Sequence, residues 1–399
     1  MRRPSPQLVS LLALLVSSGV VSPAWAQAPS VPPVPPSGSA SDNEVDESGG
    51  PLLAERRADP VEEPIEVDAV ATLVAVVPGA LVHGLGHYAA GHSTTGGRLL
   101  LTQGIGLGVL LGGGAVLVLT GASRDFVGPS AALVIGGAGL FGISYFADIY
   151  GVAVPGELRG RASGRAYSTS ELGIAYVNDA QFDHRWFLTA GFERWLGPVR
   201  LKPTGWFSLG HPNERLRLEV TQRLHGAMPG APAQDGSSFD LSLAGTRHDF
   251  SPERFATTTL EGTVGGRLDL VRLGPTLRGS FAEMAVGWAF TRTGYDVRGL
   301  NGAKIPADHS EILLYRMGFG SYLPEGQGEL SLYYDHRHDG YAAGFLMGGL
   351  GSGVAGHFGF QGRYFPKSRA LQDSLGVGLD AQVGSARVLG LSLLFREAM

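Results

Sequence analysis

Residues 165–399 alternate between polar and apolar positions in short runs. In RLRLEVTQRL, from Arg215 to Leu224, arginine, glutamate and threonine occupy every second position, and leucine and valine occupy most of the others. The stretch from Thr257 to Leu270 repeats this alternation. A period of two is typical of a β-strand with one apolar face, so this half of the chain is predicted to consist of strands.

About twelve strands fit into this half, separated by turn residues such as Gly197-Pro198 and Gly274-Pro275. They are predicted to begin near residues 167, 185, 199, 214, 237, 256, 276, 310, 328, 353, 374 and 386. An even number of strands of about ten residues, each with one apolar face, favours an antiparallel transmembrane β-barrel over residues 165–399. A soluble β-sandwich is the alternative.

Aromatic residues favour the membrane barrel, because most of them fall toward predicted strand ends, where interfacial girdles lie. They are Trp186, Trp195, Trp206, Phe207, Trp288, Tyr315, Tyr322, Tyr333, Tyr334, Tyr364 and Phe365. The last strand, VLGLSLLF, ends at Phe395 and resembles the terminal aromatic strand of outer-membrane barrels, although REAM follows it.

Residues 69–155 show a different pattern, with three apolar segments at Ala69–Gly91, Leu99–Gly121 and Val127–Ala147. The second and third carry no charge and exceed the length of about 18 residues that marks a membrane-helix candidate. They predict a glycine-rich helical hairpin or three-helix segment. A buried hairpin of a soluble protein is the alternative.

Glycine accounts for 61 of the 399 residues, and part of it falls on this helical segment. Gly104, Gly108 and Gly112 lie four apart on one face, a spacing that lets membrane helices approach closely. We expect these helices to pack inside or beside the barrel. The alternative is an inner-membrane anchor that carries a periplasmic β-domain for binding a partner.

Three histidines stand close together in VHGLGHYAAGH, at His83, His87 and His92. His83 and His87 share one face of a helix, so the three are candidate zinc ligands, with a further ligand such as Asp148 supplied from elsewhere. However, Gly84 follows His83, where HExxH metalloproteases carry their glutamate base. A structural role for these histidines is therefore the preferred interpretation, without a cofactor.

The segment PGALVHGLGHYAAGHSTTGGRLLL resembles the PGxGHxxxGxxxxGxxLL segment of uncharacterised bacterial membrane-protein families. The matching positions are Pro78, Gly79, Gly86, His87, Gly91, Gly96, Leu99 and Leu100. The resemblance implies a tight helical hairpin with His87 as a structural polar residue near a helix end, and it implies no activity.

The first 68 residues are predicted to lie outside the folded part. Residues 1–26 have the basic start, apolar middle and A-x-A-like end of a secretory signal peptide. Residues 27–68 form a Pro-rich linker whose second half carries ten acidic residues against two arginines, and we expect it to be disordered. The rest of the chain is nearly neutral, which gives no reason to expect nucleic-acid binding.

Two motifs, Arg247-His248-Asp249 and Arg337-His338-Asp339, sit near predicted strand ends. Alternation places the arginine and aspartate on one face and the histidine on the other. The preferred interpretation is an ion-paired lumen. The alternative, a His/Asp catalytic pair of an outer-membrane lipid-acting enzyme, has no accompanying serine motif.

Together these patterns predict a Gram-negative outer-membrane protein with a structural or transport-related role and no catalysis. Its expected partners are membrane lipid and the outer-membrane assembly machinery. A lipid-acting or metal-dependent enzyme in the same membrane is the alternative.

Overall fold

The computed structural model describes residues 67–123, 125–162, 167–178, 185–226, 235–298, 302–336, 345–346, 354–367, 374–384 and 386–398. The predicted signal peptide, nearly all of the predicted linker and the Arg337-His338-Asp339 motif lie outside these residues.

Twelve of the described strands close into one antiparallel barrel. They are β1 (Tyr167–Asn178), β2 (Trp186–Leu196), β3 (Val199–Ser208), β4 (Asn213–Gly226), β5 (Ser238–Phe250), β6 (Phe255–Asp269), β7 (Ser280–Tyr295), β8 (Asp308–Tyr322), β9 (Gly328–Asp335), β12 (His357–Tyr364), β13 (Leu375–Val383) and β14 (Arg387–Ala398). Two short strands, β10 (Phe345–Leu346) and β11 (Val354–Ala355), pair with each other between β9 and β12. The predicted barrel of about twelve strands is confirmed.

The barrel is closed by β1 and β14, which pair from Tyr167 opposite Ala398 to Asn178 opposite Arg387. Each of the other barrel strands pairs with the next one along the chain, with β12 following β9. Such a ladder leaves no unpaired strand edge in the barrel, which is the condition for a sheet to cross a bilayer.

Alternation along the strands places leucine and valine outside and charged side chains inside. On β4, Leu216 and Leu218 are 47% and 50% exposed, whereas the Arg217 side chain between them is only 11% exposed. On β14, Leu391 is 65% exposed, while Ser392 is buried. A soluble sandwich buries its apolar face, so the sandwich alternative is wrong, and the chain is an outer-membrane barrel with a lipid-facing exterior.

Four α-helices of the described residues precede the barrel: α1 (Ala69–Val76), α2 (Leu85–Ala89), α3 (Ser93–Leu119) and α4 (Val127–Ala153). Among the described residues, α3 and α4 are long and apolar enough to cross a membrane. The predicted helical segment is therefore confirmed, although α3 begins earlier and α4 ends later than the uncharged runs.

Helix α4 lies against the outer surface of the barrel, on strands β7 and β8. A Cβ atom on Gly136 would meet the Tyr315 hydroxyl, and one on Gly139 would meet the Met317 sulfur. Arg316 lies between these two partners on β8 and points the other way, toward Glu283 and Asp335 in the lumen. Of the two positions that the sequence allowed, the helices thus take the one beside the barrel.

Close packing between α3 and α4 uses a different set of glycines from the predicted stripe. Cβ atoms on Gly106 and Gly137 would fall 2.3–2.9 Å from the backbone of the facing helix. By contrast, Gly104, Gly108 and Gly112 have nothing within 4 Å of such an atom. The prediction of close packing was right, but its residues were wrong, because spacing alone does not tell which face of a glycine-rich helix meets its neighbour.

Candidate functional site

The lumen is lined by charged side chains of both signs around a cavity of about 700 Å³. Ten arginine and lysine residues and eight glutamate and aspartate residues line this cavity. The near balance confirms the expectation that charges in the lumen neutralise one another.

Ion pairs connect neighbouring strands and also strands that are not neighbours in the barrel. Arg267 of β6 donates to Glu283 of β7 at 2.8 Å and to Glu329 of β9 at 2.7 Å. Arg363 of β12 lies 3.5 Å from Glu193 of β2, on a strand four places away around the barrel. The contacts of Arg267 with Glu329 and of Arg363 with Glu193 therefore join strands that are three and four places apart around the barrel.

A second group of pairs continues from Glu193 along one side. Arg200 lies 2.6 Å from Glu219, and Arg217 donates to both oxygens of Glu261 at 2.6 and 2.9 Å. Two-point contacts between a guanidinium and a carboxylate fix both side chains. The network therefore holds these side chains in a defined arrangement inside the lumen, unlike a set of independent surface charges.

Aromatic residues divide between the two faces, which corrects the predicted girdle. Three are exposed on the outer surface at strand ends: Trp186, Phe207 and Tyr364. Others line the lumen, among them Trp195, Trp206, Tyr322 and Tyr333. Arg223 lies 4.6 Å from the centroid of the Trp195 ring, so some of these rings support lumen cations and do not meet lipid.

The Arg247-His248-Asp249 motif has the predicted alternation but the opposite orientation. His248 is 2% exposed and its Nε2 lies 3.1 Å from Asn213 Oδ1, whereas Arg247 is exposed and lies 3.6 Å from Asp249. The prediction that Arg247 and Asp249 face the lumen was wrong. Leu241 and Leu243 face outward on the same strand. Arg247 is an even number of residues further along, so its side chain also faces outward, near the strand end.

Two of the three predicted histidines, His83 and His87, lie in a buried polar cluster at the base of the helices. Nδ1 of His87 lies 2.7 Å from Oδ1 of Asp148, and both side chains are fully buried. The Asp148 carboxylate also accepts backbone N–H groups from Gly84 at 2.8 Å, Gly86 at 3.3 Å and His87 at 3.2 Å. Four donors satisfy this carboxylate, which explains how helix α4 continues through an acidic residue in an apolar setting.

The glycines of HGLGH make this approach sterically feasible. Gly84 has a φ of +88°, which favours glycine, and a Cβ there would fall 2.3 Å from the Gly96 carbonyl oxygen. At Gly86, a Cβ would meet the Ala75 side chain at 2.5 Å and Asp148 at 3.1 Å. The glycine pattern therefore places the backbone N–H groups around Asp148.

The cluster joins the helices to the barrel through the β6–β7 turn. Nε2 of His87 lies 3.0 Å from the Thr276 hydroxyl, and Arg159 donates to the carbonyl oxygens of Thr276, Gly151 and Val154. The last two carbonyls belong to the C-terminal turn of α4, where a cation is favoured by the helix dipole. Asp148, His87 and Thr276 form a chain of hydrogen-bonding groups, but all three are buried and offer no access to a substrate.

His83 and His92 are placed differently from His87. Nδ1 of His83 lies 2.6 Å from the Ser144 hydroxyl, and its backbone N–H donates to Gln103. Burial lowers the pKa of His83 below its usual range, and the Asp148 carboxylate partly opposes that change. The ring of His92 lies 6.3 Å from that of His87, and His92 is exposed.

Within the described part of the chain, no group of three or more His, Cys, Asp or Glu side chains is arranged to hold a metal ion. Both ring nitrogens of His87 already have hydrogen-bonding partners. These contacts fit a hydrogen-bonded cluster, and zinc binding at His83, His87 and His92 stays a prediction. The sequence pointed to His87 and Asp148, but Thr276, Ser144 and Gln103 carried no signal that could single them out.

No protein-family model matches the chain, and no curated protein matches it. Among solved structures, the outer-membrane protein Omp33 of Acinetobacter baumannii is 10% identical, with a TM-score of 0.30, over 58% of this chain and 98% of that one. The NanC porin is 9% identical, with a TM-score of 0.37, over 57% and 98% of the two chains. The β domain of the Bordetella autotransporter BrkA is 14% identical, with a TM-score of 0.30, over 59% and 99%. At these values the similarities say nothing about what this chain transports or binds.

Proposed function

We propose that this protein is an outer-membrane channel for small polar solutes, without catalytic activity. The observation that carries the proposal is the cavity of about 700 Å³ inside the barrel, which is lined by charged side chains while the helices lie outside the wall. A barrel whose interior is hydrated and polar can pass solutes that the bilayer excludes.

The ion pairs set the size limit of this channel. Arg363 and Glu193 reach toward each other from distant strands, so a solute must pass beside them or displace them. Because a twelve-stranded barrel is narrow, we expect small solutes to pass and large ones to be excluded.

The proposal also assigns a role to each remaining segment. Residues 1–26 direct export, residues 27–68 form a periplasmic linker, and residues 69–155, with their PGxGHxxxG-like motif, anchor the barrel laterally in lipid. The outer-membrane assembly machinery inserts residues 165–399. The lipid-facing leucines and the apolar helices α3 and α4 support contact with membrane lipid.

Conductance in planar lipid bilayers tests the channel. The purified protein is expected to give discrete conductance steps, and Arg363→Ala is expected to enlarge them, because it removes one side of the constriction. Arg194→Ala is the matched control, since Arg194 lies exposed on the same strand as Glu193 and next to it.

Two results would contradict the proposal. One is a folded barrel that gives no conductance above that of protein-free bilayers. The other is an Arg363→Ala channel that is indistinguishable from the original and from Arg194→Ala, since the constriction would then lie elsewhere.

A further inference from the structure

We infer that a recess in the lumen wall binds a small zwitterion, a molecule that carries both an ammonium and a carboxylate group. The inference rests on the channel function proposed above and names a class of solute for it. It is carried by the shape of the recess and by the charges around it.

The recess exists because neighbouring strands place small residues side by side on the inner wall. One row of paired residues runs across β13, β14, β1 and β2, and it consists of Gly378, Ser392, Gly173 and Thr189. Next to this row, Gly390 pairs with Ala175. Strands lie only about 4.8 Å apart, so these adjacent small side chains leave one continuous hollow.

The hollow has a volume of about 150 Å³. A single water needs about 10–15 Å³ on a comparable measure, so the space suits a small organic solute. The hollow opens into the main cavity where the two share lining residues, which include Lys202, Gln361, Arg363 and Asp380.

Two carboxylates line the recess without a cation of their own. Among the described residues, neither Glu171 nor Asp380 has an arginine or lysine nitrogen within the 4.0 Å that defines an ion pair. Asp380 is approached instead by the Tyr333 hydroxyl at 3.4 Å and by the Gln382 amide at 3.2 Å. Other lumen carboxylates, such as Glu261 and Glu283, have close arginine partners.

Two cations line the same recess, Lys202 on β3 and Arg363 on β12. Lys202 has no carboxylate oxygen within 4.0 Å in the described part of the chain. Arg363 also lines the recess, and its carboxylate partner, Glu193, is 3.5 Å away. A carboxylate placed between Lys202 and Arg363 would gain two charge-assisted hydrogen bonds.

Charges of both signs therefore surround one hollow, and this determines the class of ligand. A purely anionic solute would leave the negative charges of Glu171 and Asp380 without a partner. A purely cationic solute would leave the positive charge of Lys202 without a partner. Desolvated charges without a partner are costly, which disfavours either solute. A zwitterion compensates both groups, with its ammonium toward Glu171 and Asp380 and its carboxylate toward Lys202 and Arg363.

The test uses the full-length protein in planar bilayers and in detergent, with 4-aminobutyrate and β-alanine as probes. Butyrate and butylamine are the matched analogues that carry one charge each. We expect 4-aminobutyrate or β-alanine to block the current, and to bind in calorimetry, at least tenfold more tightly than either analogue.

Three variants locate the site. Glu171→Gln and Lys202→Met are expected to weaken zwitterion binding at least tenfold, and Gly390→Leu is expected to abolish it by filling the recess. Glu214→Gln is the control, because Glu214 is exposed on the outward face of β4. Each variant is first shown to be a closed barrel by its faster migration on gels before boiling.

Failure of the inference can be told apart from failure of the channel. Equal block by butyrate or butylamine, or unchanged binding in Glu171→Gln and Lys202→Met, would overturn the inference while conductance upholds the channel. Absence of conductance would overturn the channel, and calorimetry would then decide the inference: zwitterion-selective binding supports it, and its absence overturns it.

Discussion

Nδ1 of His87 and Oδ1 of Asp148 lie 2.7 Å apart with both side chains completely buried, although the two residues are 61 positions apart in the chain. This contact ties the short helix α2 to the last turns of α4. Through Thr276 it also reaches the β6–β7 turn of the barrel. The pair therefore fixes the helices to the barrel at one end.

Removal of one partner of this pair is expected to loosen the helices and spare the barrel. His87→Ala leaves the buried Asp148 carboxylate with one donor fewer, and loss of a hydrogen bond to a charged group costs about 1.5–3 kcal/mol. We expect residues 69–153 to become sensitive to protease, while the heat-modified gel shift of the barrel persists. His211→Ala is the control at an exposed loop position. Equal protease resistance of His87→Ala and the original protein would contradict the anchoring role.

Alanine substitutions at two kinds of glycine should have opposite effects on the helices. Gly137→Ala places a Cβ 2.3 Å from the backbone of the facing helix, and overpacking of this kind costs about 1–3 kcal/mol. Gly108→Ala enters open space, where alanine favours the helix by about 1 kcal/mol. Thermal unfolding of the helical signal in circular dichroism measures both. A larger loss at Gly108 than at Gly137 would show that the predicted GxxxG stripe is the true packing face.

Acidification is expected to weaken the attachment of the helices. Burial lowers the pKa of His83 in the folded protein, so the unfolded segment binds a proton more readily than the folded one. The contribution of neutral His83 to the stability of the helical segment is then fully present at pH values well above the unfolded-state pKa of about 6.5. It is lost as the pH falls below that pKa. Protease sensitivity of the helices should therefore rise between pH 7.5 and pH 5, and the rise should be smaller in His83→Asn. A pH-independent digestion pattern would contradict this expectation.

Metal analysis tests the remaining alternative for the histidines. Because both ring nitrogens of His87 have hydrogen-bonding partners, we expect the purified protein to retain no stoichiometric zinc after dialysis. One zinc ion per chain that is lost in His87→Ala would establish a metal site instead.

The barrel was largely predictable from the sequence because a strand with one apolar face has polar and apolar residues that alternate with a period of two. The predicted strand starts fall within four residues of the observed ones, as at Val199 and Gly328, where they coincide. The side of the sheet that each residue faces also follows from this alternation. Leu216 faces outward and Arg217 faces the lumen, as predicted. The mistake at Arg247 arose where the strand reaches its end and its outer face carries charge.

The helical segment and the lumen were harder to predict, because their contacts join residues far apart in the chain. HGLGH signalled an unusual local backbone, and Asp148 was a candidate partner, but its contact with three backbone N–H groups depends on how α4 packs. Likewise, no local pattern shows that Gly173 and Gly378 lie in one row, since strand pairing across the barrel closure brings them together.

The position of the helices outside the barrel is the central claim, because it leaves the lumen free for transport. The chain contains no cysteine, so Gly139→Cys combined with Met317→Cys introduces one pair that a short bifunctional thiol reagent can join. We predict efficient cross-linking of this pair in the outer membrane, with channel conductance unchanged. Gly139→Cys combined with Gly318→Cys, on the lumen side of the same strand, is predicted to remain unlinked. Cross-linking of the second pair in place of the first would put the helices inside the barrel and contradict the account.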